Sequence, residues 1–185
     1  MSSRDIHKQP GHLIRRLQQI AVALFVAECD SLDLTPVQYA SLTAIRDVAD
    51  LDVTRLSSVV ALDKATLAKV VERLEAKGWI VRTGSGLDKR VKLLSITPQG
   101  REALTAAEPR VRRCQHRILA PLAQADRRSF MAMLERLVEA NNGYSRAPMR
   151  PPRRAPSRSP ARSRPAAKRR RNEDGPEAPA MDIKG

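Results

Sequence analysis

The sequence predicts a mainly α-helical fold that carries one small β-hairpin. Three observations predict it. Apolar residues recur three and four apart over much of residues 10–142, the spacing of a helix face. Thr35-Pro36 and Thr97-Pro98 each set a capping hydroxyl before a proline suited to the first helical position. Gly78 ends one helical run, and residues 79–83 and 91–97 then read as the two strands of a hairpin.

Each element has its own warrant. Leu13, Leu17, Ile20, Leu24 and Ala27 form one stripe of a first helix. Thr35-Pro36 opens a second through about Val48, with Ala40, Leu42, Ala44 and Ile45 as its apolar contributors. Asp52 or Thr54 begins a short helix carrying Leu56, Val59 and Val60. Asp63 caps the next, whose inward face is Leu67, Val70, Val71 and Leu74. A cationic helix beside a cationic hairpin tip can enter adjacent grooves of DNA, the arrangement of a winged helix-turn-helix. Thr97-Pro98 starts a long helix with Leu104, Ala107, Val111, Cys114 and Ile118 on one seam, and Pro109 is expected to bend or divide it. A last helix, about Asp126 to Asn141, offers Phe130, Met133, Leu134, Leu137 and Val138.

The terminal helices present more apolar stripe than the small lobe between them can cover. Packing within one chain is one account. A two-fold dimer built from both ends of the chain is the other, and it doubles the reading heads to match palindromic half-sites.

Composition points to a polyanionic partner. The chain has 185 residues, 34 Lys+Arg against 20 Asp+Glu, and a net charge of +14. Such an excess suits nucleic acid or an anionic membrane surface. No apolar run approaches the roughly 20 residues of a membrane span, and the first residues lack a signal peptide's apolar core. A cytoplasmic, nucleoid-associated protein is expected. Residues 146–185 hold 12 basic and 4 acidic residues with 8 of the 13 prolines, so this Arg/Pro-rich tail is expected to be disordered. Residues 1–145 then form one domain: dimerisation helices at about 10–30 and 98–142, and a DNA-binding lobe at about 52–97.

The order of these segments resembles the MarR family of bacterial transcriptional regulators. The motifs that carry the likeness are Leu34-Thr35-Pro36-Val37-Gln38-Tyr39, Leu62-Asp63-Lys64, Glu72-Arg73-Leu74-Glu75-Ala76-Lys77-Gly78, Asp88-Lys89-Arg90 and Leu94-Ser95-Ile96-Thr97-Pro98-Gln99-Gly100. The resemblance spans about residues 10–142 and excludes the tail. It implies an obligate homodimer that binds pseudo-palindromic operators, usually as a repressor, and that small aromatic carboxylates or phenols release. Within the family the chain is most similar to repressors of nicotinate degradation, which answer to a hydroxylated pyridine carboxylate.

Site residues follow from the inward face just assigned. Lys64, Ala65, Ala68, Lys69 and Glu72 lie toward the outer side of their helix, with Thr66 beside them. Family members often carry Ser and Thr where this chain has Ala65 and Ala68, so methyl contacts of the kind made to thymine replace hydroxyl readout there. Lys64 and Lys69 are expected on phosphates. Gly84, Ser85 and Gly86 predict a flexible tip where Arg82, Lys89, Arg90 and Lys92 concentrate charge, suited to a narrow minor groove. Arg90 matches the family's wing arginine, and Asp88 positions the loop. An acidic effector needs a cation and hydrogen-bond donors in a partly apolar cleft. His12, Arg15, Arg16, Gln38 and Tyr39 are the candidates.

Other chemistries lack their residues. His7, His12 and His116 are not spaced with cysteines or carboxylates as a metal set, and no cofactor-binding glycine loop or nucleophile elbow occurs. An enzyme is not expected. Two alternatives stay open: a redox-sensing repressor using Cys29 or Cys114, and an architectural DNA-coating protein driven by the basic tail. The operator-binding reading makes a direct prediction. Arg90→Ala should lower operator affinity by roughly 1–3 kcal/mol in a gel-shift titration at matched salt.

Overall fold

The computed structural model describes residues 3–84 and 91–150. Residues Met1–Arg153 make one compact unit. Its elements are α1 (Ser3–Ile6), α2 (Pro10–Cys29), α3 (Pro36–Asp47), α4 (Val53–Val59), α5 (Lys64–Ala76), β1 (Ile80–Gly84), β2 (Lys92–Ile96), α6 (Pro98–Leu119) and α7 (Gln124–Asn141). Of the tail expected to be disordered from residue 146, residues 146–150 are described, with Met149 bonded to Asn142 and Arg150 to Ser58, while residues 151–185 and the hairpin tip, residues 85–90, lie outside the described residues. The mainly helical fold with one two-stranded hairpin is as the sequence predicts.

Local capping sets most of the helix starts. Thr35 accepts a hydrogen bond from the Gln38 N–H while the Gln38 side chain takes the Thr35 N–H, a reciprocal box that satisfies two orphan donors of α3. Asp52, not Thr54, caps α4 by accepting from the Arg55 N–H at 2.8 Å. Asp63 caps α5 through the Thr66 N–H at 2.9 Å, and that bond is the main reason its carboxyl stays below the usual range. Thr97 caps α6 through the Gly100 N–H.

The end of α5 is a Schellman turn. Trp79 N–H donates to the Leu74 carbonyl and Gly78 N–H to that of Glu75, with Gly78 at φ 68°. Beyond it β1 and β2 pair antiparallel, from Ile80 opposite Ile96 to Gly84 opposite Lys92. Leu51 extends this small sheet by accepting the Leu94 N–H at 2.7 Å. Leu51, Leu56, Leu67, Val71, Leu74, Ile80 and Leu94 are buried among these elements.

A second part of the same core lies where α2 packs on α6. Leu104, Ala107, Val111 and Cys114 are buried from α6, as are Phe25 and Cys29 from α2. The α6 seam is therefore covered within the chain, by α2 and α3, rather than left for a partner helix. Glu28 reinforces the contact by accepting from Arg113 at 3.0 Å and Arg117 at 2.8 Å. The hydrogen bonds from Arg117, then Arg113, hold its carboxyl below the usual range.

Leu13, Ile20 and Ala27 of the first stripe are exposed, while α6 covers the face carrying Phe25 and Cys29. Other expectations need correction. Ala40 faces solvent, since α3 turns Gln38, Ser41, Leu42 and Ile45 inward at helical spacing. Pro109 does not divide α6, which runs unbroken from Pro98 to Leu119. Its missing N–H removes one ladder bond, while buried Ala107 and Val111 on either side keep the helix seated. The last helix starts at Gln124, two residues earlier than expected, and has no buried residue. Among the described residues no helix is long and apolar enough to cross a membrane.

Gly100 is sterically required. A Cβ there would collide with the Trp79 carbonyl oxygen and lie 2.9 Å from Ile96 Cγ1. Gly100→Ala should destabilise the fold by about 1–3 kcal/mol, the cost of overpacking, read from urea unfolding at fixed protein concentration.

Candidate nucleic-acid interface

The helix pair α4–α5 is closed by a tight turn. Ser57 Oγ donates to the Leu62 carbonyl at 2.7 Å and Leu62 N–H returns to the Ser57 carbonyl at 3.1 Å, with Ala61 in the left-handed region at φ 52°. This fixes Asp63, and so the start of α5, against the end of α4. Leu67, Val71 and Leu74 are buried and Val70 half-buried, which turns the opposite face of α5 outward.

That outward face carries the expected residues. Lys64, Ala65, Thr66 and Lys69 are exposed, and Ala68 is half-buried beside them. The two lysines therefore flank a small, weakly polar strip that a base edge can approach closely. Lys92, at the outer end of β2 opposite Gly84, is exposed. Asp88, Lys89 and Arg90 lie outside the described residues.

Arg82 is placed differently from a free wing cation. Its Nε lies 2.9 Å from a Glu75 carboxylate oxygen, so the pair ties β1 to the last turn of α5. Sequence reasoning missed Glu75. The two residues are neighbours only because the chain reverses at Gly78 and Trp79. A second polar tie braces the same corner, where Lys77 Nζ reaches the Asp33 carboxylate at 2.8 Å and sits 4.6 Å from the Trp79 ring centroid.

The candidate effector residues divide into two places. His12 and Arg16 line one hollow of about 600 Å3 with His7, Leu13, Leu17 and Ile20. His7 Nδ1 and His12 Nε2 are 3.3 Å apart. Partial burial, then the charges of Arg15, His7 and Arg16, keep His12 below the usual imidazole range. Arg15 turns away and donates to Gln19 at 3.2 Å. Gln38 is buried and its carbonyl oxygen is engaged by the α3 cap, while Tyr39 is half-buried with its ring 6.2 Å from that of Phe25. His7 is the polar member of the hollow that sequence reasoning did not assign to it, and its exposed position before α2 offered no periodic signal.

Other chemistry finds little purchase. Cys29 and Cys114 are free and buried, and burial pushes both thiols up, the opposite of what a reactive thiolate needs. Among the described residues no group of three histidines, cysteines or carboxylates could hold a metal.

A capped helix-turn-helix, with a hairpin directly after its second helix and long helices at both ends, defines a winged helix-turn-helix regulator. Known proteins share this plan. Residues 32–91 match the model of the MarR family. The chain is 34% identical over 128 residues to a putative transcriptional regulatory protein for the hcr operon of Thauera aromatica, covering 69% of this chain and 77% of that one. It is 27% identical over 137 residues to the HTH-type transcriptional repressor NicR of Pseudomonas putida, covering 74% and 87%. In structure it is similar to BpsR of Bordetella bronchiseptica, whose DNA binding is regulated by 6-hydroxynicotinic acid, with TM-score 0.67, 29% identity and coverage of 71% and 94%. The chain belongs to the MarR family.

The Arg82–Glu75 pair sets a measurable limit on the wing's charge. Glu75→Gln should release Arg82 and remove a negative charge beside the outward face of α5. DNA affinity in a gel-shift titration at matched salt should tighten about two- to fivefold, the scale of a partly exposed ion pair.

Proposed function

We propose that the chain is a dimeric transcriptional repressor that grips a pseudo-palindromic operator through α5 and the hairpin, and is released by a small aromatic carboxylate. The observation that carries this reading is the outward face of α5, with Lys64 and Lys69 exposed on a helix whose other face is sealed into the core. Phosphate contacts from such lysines position the helix, and base edges opposite Ala65, Thr66 and Ala68 supply the choice of sequence. Double-stranded DNA is the partner, and a cytoplasmic, nucleoid-associated location follows from it.

Dimerisation is supported by surface that a lone chain leaves uncovered. Met133, Leu137 and Val138 of α7 are 60%, 57% and 54% exposed, and Leu13 and Ile14 of α2 are 53% and 57% exposed. An apolar groove runs between these helices, lined by Leu13, Ile14, Leu17, Phe130, Met133 and Leu137 among others. Covering it with the same groove of a second copy satisfies both at once.

The effector reading rests on the hollow beside α2. Arg16 offers a cation, the His7–His12 pair offers a ring N–H, and Leu13, Leu17 and Ile20 offer an apolar wall for an aromatic ring. A hydroxynicotinate-like compound has this combination of carboxylate, ring and polar substituent, and BpsR answers to such a molecule. The redox alternative is disfavoured by the buried, raised thiols.

One titration series tests the whole reading. The protein should prefer an inverted repeat selected in vitro over scrambled duplex, and 6-hydroxynicotinate should weaken that complex. Arg16→Ala should lower effector affinity about 10- to 100-fold by calorimetry, the loss expected for a charged hydrogen bond, and leave DNA binding without effector unchanged. A stable monomer with no preference for the repeat overturns the reading.

A further inference from the structure

The segment after α7 returns to the DNA-reading lobe. Asn142 clasps Met149 twice: its Oδ1 accepts the Met149 N–H at 2.8 Å and its Nδ2 donates to the Met149 carbonyl at 3.0 Å. Ser145 Oγ accepts the Ala147 N–H at 3.2 Å inside the loop so formed. The next residue, Arg150, then donates its backbone N–H to the Ser58 carbonyl of α4 at 2.8 Å. Ser58 adjoins Ser57, whose two bonds to Leu62 hold the start of α5. The chain therefore leaves Arg150 beside the turn that launches the reading helix.

The sequence beyond Arg150 is strongly cationic. Nine lysines and arginines, and no acidic residue, lie between Pro151 and Asn172. We propose that residues 142–150 are a strap that roots this arginine-rich segment at the α4–α5 turn, from where it engages phosphates flanking the half-site that α5 reads. The proposal rests on the operator reading above and adds a second contact surface to it. Lys168 lies eighteen residues beyond Arg150, enough at about 3.3 Å per step to reach up to roughly 60 Å. One turn of duplex is about 34 Å, so the basic cluster can attain phosphates well outside the half-site. A root near the groove also raises the effective concentration of the segment at the duplex. Sequence choice stays with α5, because phosphate contacts carry no base information.

Hydroxyl-radical footprinting tests this on a duplex that carries the in-vitro-selected repeat with long flanks. Four proteins are compared: the full chain, a truncation after Arg150 that leaves every described contact in place, and two strap variants, Asn142→Ala, which opens the strap and keeps the charge, and Arg150→Pro. The full chain should protect the centre and both flanks. Truncation should keep the centre, lose the flanks, and make the log–log salt slope shallower by about 0.9 for each phosphate given up. Asn142→Ala should keep most of the full chain's salt slope while its flank protection becomes weak and spread. Arg150→Pro, which deletes the N–H given to Ser58, should do the same. Flanks that survive truncation overturn the segment's role. Flanks that stay sharp in both strap variants overturn the strap. Failure to select any repeat removes the operator reading, and this proposal falls with it.

Discussion

One corner of the molecule holds its reading parts in register: the reversal at Gly78 and Trp79. Gly78 accepts the left-handed conformation that ends α5, and Trp79 N–H reaches back to Leu74. Thr97 then closes the corner from the other side, its N–H on the Trp79 carbonyl and its hydroxyl on the Gly78 carbonyl at 2.7 Å. Gly100 leaves room for the Trp79 carbonyl by lacking a side chain. The end of α5, the start of β1, the end of β2 and the start of α6 thus share one set of bonds.

This corner gives the long helices a mechanical role. α6 begins at the reading lobe and runs beside α2, which carries His12 and Arg16 near its other end. Arg46 bridges α3 to α6 through Glu108 at 2.9 Å, and Glu28 bridges α2 to α6 through Arg113 and Arg117. Under the proposed function, a ligand beside α2 would act on a helix that is braced to α6, whose first residues follow the Thr97 cap at the corner. Such coupling needs only small displacements, since packed interfaces switch between discrete arrangements more readily than they deform.

The exposed apolar face of α7 and the sealed face of α6 show how one sequence signal covers two outcomes. Both helices repeat apolar residues at three and four. In α6, Leu104, Ala107, Val111 and Cys114 are buried within the chain, where α2 and α3 pack on this helix. In α7, Met133 and Leu137 remain open along a groove with α2, and Val138 is exposed beside them in sequence. Periodicity identifies which side chains share a face and is silent about what covers it. The same holds for charge. Lys64 and Lys69 could be placed outward from the helix pattern alone, whereas Arg82 meets Glu75 only after a chain reversal, and Gln38 is drawn into a cap that competes with any ligand.

The sequence by itself determined what acts over four residues or fewer. Thr35, Asp63 and Thr97 as caps, Gly78 as a stop and the outward lysines of α5 all follow from short-range hydrogen bonding and helical geometry, and the hairpin from two adjacent strand-like runs next in the chain. Only the tertiary structure decided that α2 and not a second chain seals α6, that Pro109 stays within an unbroken helix, and that Arg150 lies on α4. Those outcomes depend on which faces meet across tens of residues, and many pairings of similar apolar stripes satisfy the same local pattern until packing selects one.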